Sequence, residues 1–129
     1  MKVLELMESN PATVGPDDPL GTALKVMAEN SCRHLAVLEG ENVVGIISDR
    51  DLALFYDPVN MTEEKWNKAR VRDLMAHEPT TIGSQAPASE AAKLLLKEGF
   101  SALLIVDMGN LVGILTDRDF VQYFADKGL

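Results

Sequence analysis

Cysteine is nearly missing from this chain. Cys32 is the single one in 129 residues, so there is no intrachain disulfide framework and no Cys-x-x-Cys or Cys/His metal spacing. A reducing, cytoplasmic setting is the expectation. No apolar run approaches transmembrane length, and Met1–Asn10 carries acidic residues without the apolar core of a signal peptide, so no membrane role is expected. Basic residues are outnumbered: 12 Lys and Arg against 20 Asp and Glu leave a net charge of −8. A nucleic-acid surface needs a broad basic stripe, which this balance argues against. A small anionic ligand is still admissible, because salt screens long-range repulsion beyond about 8 Å and a local arginine cluster decides at contact distance. Also lacking is a separate nucleophile, base and oxyanion set, so no catalytic residue is assigned and no enzyme is expected.

What the chain does have is one phrase written twice. Gly45-Ile46-Ile47-Ser48-Asp49-Arg50-Asp51-Leu52 returns as Gly113-Ile114-Leu115-Thr116-Asp117-Arg118-Asp119-Phe120. Sliding the sequence by 68 residues aligns Val3–Tyr56 with Val71–Phe124 without a gap. Roughly a third of the aligned positions are identical, which marks an internal duplication. The matches include Leu6/Leu74, Met7/Met75, Pro11/Pro79, Thr13/Thr81, Gly15/Gly83, Pro19/Pro87, Ala23/Ala91, Leu35/Leu103 and Asn42/Asn110.

In each copy an aliphatic run ends in Ser or Thr and an acidic, amphipathic segment follows, the pattern of a strand handing over to a helix N-cap. Two uses are open for this junction. In one, Ser48 and Thr116 satisfy free helix N–H groups while Asp49, Asp51, Asp117 and Asp119 complement the helix dipole. In the other, Asp51 and Asp119 point beyond the cap and accept hydrogen bonds from a ligand's vicinal hydroxyls, with Arg50 and Arg118 contacting phosphate.

The rest of each copy predicts β-α-β-β-α, in the α/β (α+β) class. Lys2–Met7 and Val71–Met75 read as short helical lead-ins, followed by breaks at Pro11 and Pro79 and extended pieces at 12–14 and 80–82. Pro19 opens a helix to about Asn30 and Pro87–Glu98 is its twin, each with an apolar stripe that belongs to the core. Hairpins follow: Leu35–Leu38 with Val43–Ile47, and Leu103–Val106 with Leu111–Leu115, as strands buried on both faces. Helices at about Asp49–Tyr56 and Asp117–Ala125 end the copies. The division is thus repeat 1 at residues 1–60, a connector at 61–70 and repeat 2 at 71–129. A repeat of about 55 residues is marginal alone, so the copies are expected to share one core. Asp57–Arg70 has no counterpart; Met61–Ala69 reads as a helix with Thr62 as N-cap, and Trp66 packs it on the domain or joins a dimer contact, packing being favoured.

With a Thr-x-Gly strand, Arg-His-Leu-x-Val or Ser-Ala-Leu-x-Val on the second strand, and Gly-x-x-[Ser/Thr]-x-x-Asp at the end, the chain resembles a tandem pair of cystathionine β-synthase (CBS) domains, a Bateman module, over Val3 to Phe124. The resemblance implies two repeats stacked about a pseudo-twofold axis, with two clefts for adenosine derivatives such as AMP, ADP, ATP or S-adenosylmethionine. Carried over by position, one cleft combines Ser48, Arg50 and Asp51 with Thr81, Ile82, Phe100, Ser101 and Ala102. The other combines Thr116, Arg118 and Asp119 with Thr13, Val14, Cys32, Arg33 and His34. Because Ser101-Ala102 replaces Arg33-His34, the sites are expected to be unequal, the one built with Arg33 preferring more phosphate. His34 is open to a structural role as well as ligand contact, and Cys32 reads as a small buried hydrophobe. No cofactor is required; the adenine nucleotide is the regulatory ligand, and Mg²⁺ is expected only with its phosphates. A homodimer through the helices of both repeats and a regulated protein partner are the further expectations.

Overall fold

The structure, a computed structural model, describes residues 1–128. Each copy folds as the pattern predicts. The first contributes β2 (Thr13–Val14), α1 (Leu20–Asn30), β3 (His34–Glu39), β4 (Asn42–Ser48) and α2 (Asp49–Phe55). The second contributes β6 (Thr81–Ile82), α5 (Ala88–Glu98), β7 (Ala102–Asp107), β8 (Asn110–Thr116) and α6 (Asp117–Lys127). Between them lie α3 (Glu63–Lys68) and α4 (Val71–Leu74), while Val3–Glu5 is a 3-10 turn.

The prolines and chain reversals set these boundaries. Pro19 and Pro87 stand in extended conformation before α1 and α5, and Ser31 and Gly99, both left-handed, end them. Two-residue turns close the hairpins, since Glu39 pairs with Asn42 and Asp107 with Asn110. The turns differ: Gly40 alone takes positive φ (63°) in the first, whereas Met108 (51°) and Gly109 (82°) both do in the second.

Two further strands were not foreseen in the sequence. β1 (Glu8–Ser9), just before the first copy's Thr strand, pairs antiparallel with β8; β5 (Ala76–His77) pairs with β4. The sheets therefore run β1-β8-β7-β6 and β2-β3-β4-β5, with β6–β7 and β2–β3 parallel. Two compact units result, one of residues 1–11 with 80–128 and one of 12–79.

Each unit carries a buried cluster of its own. There are two buried clusters: Val14, Leu20, Ala23, Met27, Leu35, Val37, Ile47, Leu52 and Val71 lie in one, and Val3, Ala91, Leu95, Leu103, Ile105 and Leu115 in the other. The physical reason is the lead-in: Val3 and Val71, both 0% exposed, cap clusters that the β-α-β-β-α motif alone would leave open. β3, β7 and the end of β8 are buried on both faces as expected, while β4 buries mainly one. Trp66 packs on the first cluster, with ring centroids 6.3 Å from Phe55 and 6.2 Å from Tyr56. Thr62 caps α3 by accepting from Lys65 N–H at 3.1 Å.

Candidate functional site

In the unit of residues 12–79, the end of the sheet gathers the first copy's candidate residues. His34 opens β3 directly opposite Ser48, the last residue of β4, and Asp49 N–H donates to the Arg33 carbonyl at 2.9 Å. Thr13 pairs with Ala36 and Val14 with Val37 on the neighbouring parallel strand, which puts Thr13 at the same end. Arg33 and Arg50 are exposed; Thr13, Cys32, His34, Ser48 and Asp51 are half-buried; Val14 is buried.

The other unit repeats this arrangement with different side chains. Ala102 faces Thr116, and Asp117 N–H donates to the Ser101 carbonyl at 3.2 Å. Thr81 pairs with Leu104 and Ile82 with Ile105. Thr81, Phe100, Ser101 and Arg118 are exposed, Ile82, Thr116 and Asp119 half-buried, and Ala102 buried. The residues expected to form each cleft thus divide between the units: Ser48, Arg50 and Asp51 belong to one, and Thr81, Ile82, Phe100, Ser101 and Ala102 to the other.

At both junctions the carboxylate turns back onto the cap. Ser48 N–H and Oγ donate to Asp51 Oδ2 at 2.8 and 3.0 Å, and Asp51 N–H donates to Ser48 Oγ at 3.2 Å. Thr116 N–H and Oγ1 donate to Asp119 Oδ2 at 2.7 and 3.3 Å. Asp here takes the place that Glu or Gln holds in a capping box. Every bond to the two carboxylates uses Oδ2, so the second carboxylate oxygen, Oδ1, is not part of the cap and remains the one suited to an external donor.

The motif glycine sets how closely the edge strands approach. A Cβ on Gly45 would lie 2.6 Å from Met75 Sδ and 2.9 Å from the Ala76 carbonyl oxygen; on Gly113 it would lie 2.5 Å from Met7 Sδ and 3.0 Å from the Glu8 carbonyl oxygen. Glycine at these positions admits β5 and β1 against β4 and β8, three residues before each cap. Sequence reasoning read Met7/Met75 and these glycines as repeat matches without a role. The signal was their joint recurrence, since a methionine and a glycine that repeat together can be touching partners.

Three acidic groups elsewhere are held by structural partners. The hydrogen bonds from Ser84 hydroxyl and N–H hold the Asp107 carboxyl below its ordinary range. Asp57 is held down by Asn60 and the Val59 N–H, and Asp17 by hydrogen bonding to Arg72. Among the described residues no group of three or more His, Cys, Asp or Glu is placed to hold a metal ion, and no helix is long and apolar enough to cross a membrane.

Comparison with known proteins agrees with the architecture. The family model of the CBS domain matches twice, at residues 3–57 and 71–126. A CBS domain-containing protein of Dictyostelium discoideum is 36% identical over 95% of this chain and 91% of its own length. The inosine-5′-monophosphate dehydrogenase of Korarchaeum cryptofilum is 31% identical over 83% of this chain, which spans only 21% of that enzyme. Among solved structures, CBSX2 in complex with AMP is 31% identical with a TM-score of 0.80, over 97% of this chain and 96% of that one. A CBS domain pair in complex with 5′-methylthioadenosine and S-adenosyl-L-methionine superposes with a TM-score of 0.84 at 23% identity, over 98% of both chains, a likeness of fold.

Proposed function

The chain belongs to the CBS domain family, and we propose that it is a regulatory ligand-sensing module, acting in the cytoplasm, whose repeats bind an adenosine-containing nucleotide of the AMP, ADP or ATP kind. The observation that carries this reading is the matched pair of junctions. Two half-buried carboxylates, Asp51 and Asp119, stand at equivalent strand ends, each with one oxygen committed to the cap and one outside it, and each with an arginine beside it. A carboxylate oxygen accepting a ribose hydroxyl gains about 1.5–3 kcal/mol per charge-assisted bond, and a neutral amide does not replace it without loss. The AMP complex of CBSX2 supports the choice of ligand class. Mg²⁺ enters, in this reading, only as the companion of nucleotide phosphates.

Signalling follows from differential binding: nucleotide shifts an equilibrium between arrangements only by its difference in affinity for them. A homodimer through α1, α2, α5 and α6 belongs to the same reading, supported by exposed Leu24, Leu54, Leu96, Val121 and Phe124 on these helices. A regulated protein partner would then respond to that assembly.

The closed caps favour a second reading, an interaction module in which the carboxylates serve the fold alone. Isothermal titration with AMP, ADP, ATP and S-adenosylmethionine, with melting scans alongside, separates the two. Micromolar binding, about −8 kcal/mol, that disappears in Asp51→Asn or Asp119→Asn establishes the sensor. Loss of apo stability in those variants, with no nucleotide stabilising the wild type, establishes the cap role alone.

A further inference from the structure

Each unit is completed by a lead-in whose backbone seat shares two equivalent bonds, and on the first seat the Met1 carbonyl also accepts from Ala88 N–H at 2.8 Å. Val3 N–H donates to the Ala86 carbonyl and Leu4 N–H to that of Ser84, both at 2.9 Å. At the equivalent positions 68 residues on, Val71 N–H donates to the Asp18 carbonyl at 3.0 Å and Arg72 N–H to that of Pro16 at 2.7 Å. Each lead-in then runs into an edge strand, β1 on β8 or β5 on β4.

The side chains on the two seats are unlike. Arg72 Nε and Nη2 meet the two carboxylate oxygens of Asp17 at 3.0 and 3.3 Å, and Nη2 also reaches Glu39 Oε2 at 3.4 Å. This is a forked ion pair to one carboxylate with a second carboxylate in support. Leu4 stands at Arg72's place in the other seat, half its side chain in solvent. Gln85, at Asp17's place, accepts a hydrogen bond from Lys2 Nζ at 2.7 Å. Asp107, at Glu39's place, is taken by the N–H and hydroxyl of Ser84. No ion pair is found on this seat among the described residues.

We infer that residues 1–10 form a releasable strap, opening from their seat while residues 71–77 stay shut. Its opening is coupled to the second junction. β1 is bonded to β8 at Ser9 with Gly113 and Glu8 with Ile114, two residues before Thr116, so releasing it leaves the strand that carries the cap bonded to β7 on one side only. Linkage is reciprocal: what holds Thr116 and Asp119 in place also holds the strap closed. This last arm rests on the nucleotide reading above, whereas the difference between the two seats does not.

Hydrogen exchange on the full chain tests both arms. Without ligand, the Val3 and Leu4 amides are expected to exchange about tenfold faster than those of Val71 and Arg72. Arg72→Gln should bring Val71 to within about threefold of Val3, and Leu4→Arg with Gln85→Asp should slow Val3 about fivefold. Equal protection of the two seats in the wild type, or a Val71 rate that Arg72→Gln leaves unmoved, overturns the strap. Saturating AMP is expected to slow Val3 and Leu4 in the wild type and not in Asp119→Asn. If titration shows AMP bound but these amides keep their rates, the coupling is wrong. If AMP does not bind at all, the nucleotide reading and the coupling fall together, and the unliganded comparison of the seats still decides the strap.

Discussion

In the unit of residues 12–79 the Ser48–Asp51 cap is closed by three hydrogen bonds, an arginine and a histidine stand at the same sheet end, and an arginine forks across the lead-in seat. In the other unit Thr116 and Asp119 share two bonds, Ser101 and Ala102 replace the basic pair, and the lead-in is held by backbone bonds, apolar contact and a neutral-acceptor hydrogen bond from Lys2 to Gln85. The strands, registers, bulges and buried positions match closely between the two. Apart from α3 and Trp66, which only the first unit carries, divergence gathers at the rim: the sheet ends, the hairpin tips and the lead-in seats. A duplicated fold keeps what its core and backbone bonding demand, and its two halves are free to differ where side chains meet solvent or ligand.

The sharpest way to break that symmetry is at the motif glycines. Gly45→Ala and Gly113→Ala each set a methyl group against a backbone carbonyl oxygen and a methionine sulfur, at 2.9 and 2.6 Å or 3.0 and 2.5 Å. Each is expected to cost about 2–3 kcal/mol in urea unfolding. Because the seat of β1 lacks the Arg72 fork, Gly113→Ala should displace its edge strand outright, seen as loss of protection at Val3. Gly45→Ala should leave Val71 largely protected.

Smaller is the effect at the caps. Ser48→Ala removes a hydroxyl that both accepts from Asp51 N–H and donates to its carboxylate, and is expected to cost about 1 kcal/mol. Thr116→Ala, where the hydroxyl makes a single long contact of 3.3 Å, should cost about half of that in the same measurement. Equal losses would mean that the two caps are alike in solution.

At the hairpin tips the difference can be removed. Met108 is 99% exposed and sits at φ 51°, a conformation that suits Asn or Gly far better than an unbranched apolar side chain. Met108→Asn is expected to raise stability by about 0.5–1 kcal/mol, read as a higher melting temperature.

The gentlest probe is acid. Asp17 and Asp107 have folded-state pKa values below the ordinary 3.8, Asp17 through Arg72 and Asp107 through Ser84. A depressed folded pKa means that the stabilisation is complete above the unfolded value and fades as pH falls below about 4 through the folded one. Ser84→Ala is therefore expected to flatten the acid limb for the unit that holds Asp107, and Arg72→Gln for the unit that holds Asp17. Acid titration followed by circular dichroism checks both.

Much of the fold could be read from residue pattern. Pro19 and Pro87 marked the helix starts, the hairpins were legible with four-residue joins that the structure tightens to two-residue turns, and Ser48 and Thr116 were legible as caps because each ends an aliphatic run before an acidic segment. Legible too was the duplication, since an ungapped shift aligned the copies. The edge strands β1 and β5 were not: two residues carry no periodicity, and Glu8-Ser9 and Ala76-His77 differ in type. The turning back of Asp51 and Asp119 onto their caps was hidden for another reason. The same three-residue spacing serves a capping box and a ligand contact, and the spacing does not say which oxygen does what.

By itself the sequence determined the helices and hairpins, their repetition and the residue types at each sheet end, because these follow from local backbone preference and the period of apolar side chains. Tertiary structure alone decided which lead-in completes which sheet. That choice depends on close approach at Gly45 and Gly113, on the burial of Val3 and Val71, and on where Arg72 finds its carboxylates, all of them contacts between residues far apart in the chain.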